Sequence, residues 1–235
     1  MSVWYRGSPA GTPRQQDLAA IRLRGFSGIT WPSRQTAGAA DLHRMAALLG
    51  LQVTLRIDAV PLTAALARAP GEAVDLMAAR LPPEMFAALV WRAVAHGAAI
   101  VSFDPGVSSG NGVEDGARRA RPWVEPALAV GRQLASHARL IAEWRPSGHM
   151  TLDAPAPEAI DLRLLEDDRS RILVVTNTSR ARVRAVARLP ADVPAALWIN
   201  LLDGSLLSMV AEPAGPRWNL DLDAGAARVY VVNRK

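Results

Sequence analysis

Asp58 and Asp104 each close a short apolar run, LQVTLRID and AAIVSFD respectively. Two carboxylates brought to one place can divide acid and base work, or one can attack while the other moves a proton. Strand alternation in LQVTLRID puts Gln52, Thr54, Arg56 and Asp58 on one side and Leu51, Val53, Leu55 and Ile57 on the other. The same phase sends Ser102 with Asp104 in AAIVSFD and Trp4 with Arg6 in SVWYR, while Trp31 closes FSGITWP. Carboxylates, arginines and flat rings at one rim are the equipment of a sugar site: acids for proton transfer or attack, rings to stack on pyranose faces. Asp58 and Asp104 are therefore the candidate catalytic pair, with Trp4, Arg6, Trp31, Arg56 and Ser102 as candidate binding residues. Plainer accounts stay open beside this one. Either aspartate can cap a turn, Arg56 can pair with Asp58, and both tryptophans can be core.

Three repeats of one local pattern must position these residues. Helices predicted around Asp17–Arg24, Asp41–Leu49 and Glu84–His96 stop at Gly25, Gly50 and Gly97, and each glycine leads straight into a short apolar strand. Glycine just past a helix takes the left-handed conformation that turns the chain toward a strand. Alternating helices and strands predict parallel pairing, with ligands at the carboxyl ends of the strands. Thr12, Pro13 and Gln15 read as the N-cap, first-turn proline and capping-box partner of the first helix. AVDLMAAR is compatible with strand or helix, and a long helix is predicted from about Trp123 to Trp144.

After Gly148 the pattern changes. IDLRLLE, RILVVTNT, ARVRAVARL, ALWINLL, SLLSMVA, RWNLDLD and ARVYVVN follow at short intervals, separated by Asp, Pro and Gly turns. Such spacing predicts an antiparallel sandwich. The expected fold is α/β: a reduced or partial (β/α) barrel-like parallel sheet over residues 1–147, then a C-terminal antiparallel β-sandwich over 148–235. Arg182, Arg184 and Arg188 share one face of ARVRAVARL, which reads as the solvated side of a half-buried strand.

Composition narrows the chemistry. The chain has 235 residues, half of them hydrophobic, and a net charge of +5. Of its 27 basic residues only Lys235 is a lysine, which removes a Walker-type phosphate loop and argues against Schiff-base chemistry. No cysteine is present, so there is no thiol nucleophile, disulfide or iron–sulfur ligation. The four histidines, His43, His96, His137 and His149, lack metal-binding spacing. Gly106-Val107-Ser108-Ser109-Gly110 fits the spacing of a serine-nucleophile elbow, but Pro105 precedes it and no helix start follows. No metal or cofactor is expected, nor a nucleic-acid or membrane partner. With no leader-like start and no bilayer-length apolar stretch, the expected location is the cytoplasm.

SVWYRGSPAGTPRQQDLAAIRLRGFSGITWP resembles the opening of a β-galactosidase-type barrel glycoside hydrolase. LPPEMFAALVWRAVAHGAAIVSFD resembles a late helix and strand of such barrels, and PWVEPALAVGRQL their final helix. RILVVTNTSRARVRAVARLP through ARVYVVNRK is similar to the small sandwich that often follows them. The resemblance implies a carbohydrate ligand, with Asp104 and Trp31 at positions that line the sugar site. It also exposes a gap. A closed eight-strand barrel takes ~250 residues, and only four or five strands precede the sandwich here. No Asn-Glu pair occurs to match the family's acid/base motif, so the resemblance supplies no catalytic residue and predicts a degenerate relative that binds or acts on carbohydrate. Glu114 or Asp115 could supplement the carboxylates. The alternative is a non-enzymatic assembly or carbohydrate-binding module on an open α/β sheet. An open barrel edge would expose strands, so either a second copy of the chain covers it or the C-terminal sandwich packs over the open side.

Overall fold

A computed structural model describes residues 3–6, 15–32, 39–56, 73–77, 81–98, 100–104, 113–114, 117, 119–148, 150–154 and 157–234. The contacts divide into two compact units, residues 1–86 with 97–136 and residues 87–96 with 137–235.

In the first unit, strands β1 (Val3–Arg6), β2 (Gly28–Pro32), β3 (Gln52–Arg56), β4 (Ala73–Met77) and β5 (Ile100–Asp104) form one sheet. Its order is β3-β2-β1-β5-β4, with every pair parallel. The sheet is open: it ends on β3 and β4, and no further strand joins either among the described residues. AVDLM, ambiguous in sequence, is strand β4.

Helices α1 (Gln15–Leu23) and α2 (Ala39–Leu48) precede β2 and β3. They stop by one mechanism. Phe26 N donates to Ile21 O and Gly25 N to Arg22 O; Leu51 N donates to Ala46 O and Gly50 N to Ala47 O. These are paired Schellman bonds, and they require the left-handed φ of 100° at Gly25 and 66° at Gly50. Leu18, Ile21, Leu42 and Ala46 are thereby buried, and the chain re-enters the sheet at once.

A 3-10 turn, Pro83–Met85, opens helix α3 (Phe86–Ala95), and α4 (Val124–Ser136) follows the loop after β5. The long helix predicted to Trp144 is interrupted. His137 leaves helical geometry at φ −113°, ψ 12°, Ser136 Oγ donates to Gln133 O, and a short α5 (Ala138–Ala142) starts afresh. Under the sheet, the Phe103 ring lies 5.1 Å from Phe86 and 6.3 Å from Trp123, which in turn meets Phe26 at 5.9 Å. The first and last of these are tilted and the Phe103–Trp123 pair is stacked, and aromatic contacts of both kinds add ~0.5–1.5 kcal/mol each beyond burial.

The second unit is antiparallel. Strands β6 (Arg145–Pro146), β8 (Ile160–Glu166), β9 (Ser170–Asn177), β11 (Trp198–Asn200), β12 (Leu206–Leu207) and β14 (Ala227–Asn233) form a six-stranded sheet in the order β12-β11-β14-β9-β8-β6. Strands β7 (Thr151–Asp153), β10 (Val183–Arg188) and β13 (Arg217–Leu222) form a second sheet of three. Leu164, Leu173, Val175 and Tyr230 of the first sheet and Ala187, Trp218, Leu220 and Leu222 of the second belong to one apolar core. On β10 the alternation is as read: Ala185 and Ala187 are buried, while the arginines of the other phase meet carboxylates. Arg182 and Arg184 pair with Asp221, and Arg188 with Glu212. The arginine row is a charge-compensated strand face. Among the described residues, no helix is long and apolar enough to cross a membrane.

Candidate functional site

Register in the parallel sheet places the sequence candidates. Gln52 pairs with Gly28, Gly28 with Trp4, Trp4 with Ser102, and Ser102 with Asp75, which makes one row across all five strands. Thr54, Thr30 and Arg6 form the next row on the same face, followed on the other two strands by Asp104 and Met77. Arg56 with Pro32 begins a third row. Five of the seven candidates, Trp4, Arg6, Arg56, Ser102 and Asp104, thus share one face. Trp31 pairs with Leu55 near the carboxyl end of β2 but in the alternate phase. Asp58 lies outside the described residues, as do Ser108 of the glycine–serine motif, Thr12 and Pro13 of the first cap, and Asp115.

The opposite face is apolar. Tyr5 pairs with Ile29 and with Phe103, and Leu76 also pairs with Phe103; Ile29, Leu76 and Phe103 are almost wholly buried. Parallel sheets are usually covered on both faces and apolar on both. Here one face carries Gln52, Thr54, Trp4, Arg6, Ser102, Asp75 and Asp104, with Ala73, Ile100 and Met77 in the same phase. Ser102, at the middle of this face, is fully buried.

Asp75 is the residue that the sequence reading missed. It sits mid-strand in β4, in the same row as Ser102. Its signal was present: alternation in AVDLM puts Asp75 out of phase with Val74 and Leu76, but only once the stretch is read as a strand.

Glu114 is engaged elsewhere. Arg24 donates to its Oε1 from Nε at 3.2 Å and from Nη2 at 2.7 Å. Arg24 stands between α1 and β2, at the amino ends of the strands, so this pair belongs to the end of the sheet opposite the rim. Glu114 therefore does not supplement the rim carboxylates.

A second polar cluster occupies the other unit. Asp161 of β8 accepts from Arg92 Nε at 2.8 Å, and its Oδ2 lies 2.6 Å from His96 Nε2. Arg163 Nε is 3.4 Å from Asp161 Oδ1, and its Nη2 is 3.3 Å from His96 Nδ1. Arg163 Nε also lies 3.1 Å from His96 Nε2, so the imidazole sits between the carboxylate and this guanidinium. Burial works to raise the Asp161 pKa, but the His96 hydrogen bond and the charges around it outweigh burial and hold it below the ordinary aspartate value. The cluster, which Arg92 Nη1 extends to Thr178 Oγ1 at 3.4 Å, joins α3 to β8.

The same unit has a groove of about 890 Å³ between β11, β14 and the 192–197 loop. It is lined by Leu197, Ile199 and Val231, and its arginines Arg171 and Arg234 are paired with Asp192 and Glu166. It offers no aromatic platform for a sugar. Among the described residues, no group of three histidine or acidic side chains could hold a metal ion.

No known family model matches the chain, and no curated protein matches it. Solved structures do. A noncanonic maltogenic alpha-amylase of Thermotoga neapolitana superimposes with a TM-score of 0.56 at 8% identity, covering 100% of this chain and 99% of that one. An endoxylanase of glycoside-hydrolase family 30 from Clostridium papyrosolvens gives 0.43 at 8% identity, covering 99% and 96%. An alpha-amylase from Geobacillus thermoleovorans, solved with acarbose, gives 0.48 at 12% identity, covering 93% and 62%. The first likeness shows a fold shared with that alpha-amylase. The other two fall too low to add to it.

Proposed function

We propose that this chain binds or acts on carbohydrate, with its ligand on the polar face of the parallel sheet. On this reading residues 1–147 form a shortened barrel-like domain, related in plan to β-galactosidase-type glycoside hydrolases, and residues 148–235 a β-sandwich. The observation that carries it is the register: Trp4, Arg6, Arg56, Ser102 and Asp104 fall on one face of a sheet whose other face is apolar. Trp4 supplies a stacking surface, Arg6 and Arg56 donate to hydroxyls, and Asp104 acts at the rim with Asp58, two residues beyond β3 in the sequence. Trp31 adds an edge at the end of β2. Ser102, being wholly buried, belongs to the floor. Because the family's Asn-Glu pair is absent, the protein is degenerate with respect to that family's own acid/base machinery.

Titration calorimetry of the full chain against malto-, xylo- and galacto-oligosaccharides tests this reading. Saturable binding that weakens in Asp104→Asn is expected; heats indistinguishable from dilution for every sugar would end it. The second reading, a non-enzymatic module that assembles through the sheet, is supported by the two sheet ends at β3 and β4. In that case a second copy covers an edge, and light scattering would report a dimer mass whether or not sugar is present.

A further inference from the structure

We propose that the uncovered half of the six-stranded sheet's outer face, around β11, β12 and β14, is an interface between two copies of this chain. The inference is independent of the carbohydrate reading and of the sheet ends at β3 and β4. It starts from one register row. Pro146, Leu165, Ile172, Val231, Ile199 and Leu206 pair in turn across all six strands. Their neighbours in the other phase, Leu164, Leu173, Tyr230, Trp198 and Leu207, belong to or pack against the core between the two sheets. The row therefore lies on the outer face.

Antiparallel sheets that meet water carry polar side chains on the wet side. The three-stranded sheet obeys: β13 alternates exposed Arg217, Asn219 and Asp221 with buried Trp218, Leu220 and Leu222. The six-stranded sheet does not, and its aliphatic row changes setting along its length. At β8 and β9, Leu165 and Ile172 are almost wholly buried. Helix α3 lies against this half through the contacts of Arg92 and His96 with Asp161. At β11 and β12, Ile199 remains 49% exposed and Leu206 61% exposed, with Leu197 beside them at 56%. An aliphatic cluster this open marks a contact surface, because removing it from water is favourable.

The occupant follows from charge and shape. The groove of about 890 Å³ beside this row is bordered by Arg171 and Arg234, and each is already paired. Arg171 Nη2 is 2.8 Å from Asp192 Oδ2, and Arg234 Nη1 is 3.2 Å from Glu166 Oε2. A nucleic acid, an acidic peptide or an anionic membrane would meet a balanced border here, although the whole chain carries +5. A second copy brings an equally balanced border and an equally apolar centre, which is the layout of a protein interface. Knob and groove are also adjacent, since Ile199 both pairs with Leu206 and lines the groove. A projecting side chain next to its own receiving groove lets two copies exchange contacts about a two-fold axis, so the assembly closes at two. Each copy's Leu206 then enters the other's groove near Leu197.

Sedimentation equilibrium of the full chain across a concentration series is expected to show monomer and dimer. Ile199→Arg and Leu206→Glu each put a charge at the centre of the contact. Each is expected to weaken dimerisation at least ~30-fold, the loss of one dominant side chain. Leu23→Glu alters a leucine that is 86% exposed on α1 of the first unit, and is expected to leave the dimer intact. Thermal melts establish that the variants are folded. A cross-link needs no disruptive variant: the chain has no cysteine, so Leu206→Cys and Leu197→Cys each introduce a single thiol. A short bismaleimide is expected to join a mixture of these two proteins more efficiently than it joins either alone. A wild type that stays monomeric throughout, or that forms open polymers, overturns the proposal. A dimer that survives both Ile199→Arg and Leu206→Glu has its contact elsewhere and overturns it too. An equal loss in Leu23→Glu, or a cross-link no better in the mixture, does the same.

Discussion

His96 Nε2 and Asp161 Oδ2 stand 2.6 Å apart, and this bond fastens the end of α3 to β8 within the second unit. Both side chains are about nine-tenths buried, and Arg92 joins them from one turn earlier on the helix. Removing the carboxylate leaves a guanidinium and an imidazole facing β8 without their acceptor. Asp161→Ala should therefore destabilise the unit by about 2 kcal/mol, short of the ~3–5 kcal/mol of a fully buried pair because Arg163 is half exposed and screened. Urea denaturation followed by tryptophan fluorescence measures this, and an unchanged midpoint would count against it.

The same carboxyl gives a pH signature. Its folded-state pKa is held below the ordinary aspartate value, so it contributes stability that is fully present above the unfolded pKa of ~3.9 and is lost as pH falls through the folded value. The stability gap between wild type and Asp161→Asn is expected to be constant from pH 7 to 5 and to close below about pH 4. A gap that does not narrow at all as pH falls below about 4 would mean that the carboxylate charge is irrelevant to the clamp.

Two glycines separate conformational from steric need. Gly50 has φ 66°, and an added Cβ would meet nothing within 4 Å. Gly50→Ala should then cost only the left-handed penalty, about 1 kcal/mol. Gly215 has φ 114°, and its Cβ would come within 2.1 Å of the Leu189 carbonyl oxygen. That carbonyl is backbone beside the β10–β13 ladder and cannot swing away. Gly215→Ala is expected to cost about 3 kcal/mol or more. Thermal melts that rank the two equally would contradict the steric argument.

Much of this architecture was legible because local signals agreed with it. Gly25 and Gly50 end helices whose apolar stripes, through Leu18 and Ile21 and through Leu42 and Ala46, were already periodic. The sheet phase that gathers Trp4, Arg6, Arg56, Ser102 and Asp104 was readable for the same reason. What escaped was either short or non-local. Strands β6 and β7 are two and three residues long, too brief to show alternation. AVDLM satisfies strand and helix periods alike, and that ambiguity hid Asp75. His96 and Asp161 are 65 residues apart, and nothing near either announces the other. Only the fold brings such pairs together.

Trp4 offers a test at the proposed site itself. Its register neighbour on β2 is Gly28, which carries no side chain. Stacking of a sugar ring on an aromatic face is worth ~1–1.5 kcal/mol, about a tenfold change in affinity. Trp4→Ala should weaken oligosaccharide binding by roughly that factor, and Trp4→Phe by only a few-fold, because a smaller ring still stacks. Calorimetry showing equal affinity for all three proteins would remove Trp4 from the site.

Asn177 gives the sharpest prediction within the second unit. It is fully buried at the end of β9, and its Nδ2 donates to Ala181 O at 2.7 Å, Asp223 O at 2.9 Å and Leu222 O at 3.3 Å. Its Oδ1 accepts from Ser179 N at 3.0 Å and from Ser179 Oγ at 2.7 Å. One amide from the six-stranded sheet thus ties the turn that enters β10 to the end of β13 in the other sheet. Truncation strands several carbonyls, and unsatisfied buried groups cost ~1–3 kcal/mol. Asn177→Ala should cost about 2 kcal/mol. Asn177→Asp keeps the shape but replaces a donor with an anion aimed at three carbonyl oxygens, which is worse than a gap. At pH 7 the aspartate variant is expected to be the less stable of the two, and to recover partly on acidification as its carboxyl takes up a proton and regains a donor. Chemical denaturation at pH 7 and pH 4 decides it: an aspartate variant more stable than the alanine one at neutral pH would show that the amide's donor is not what holds the two sheets together.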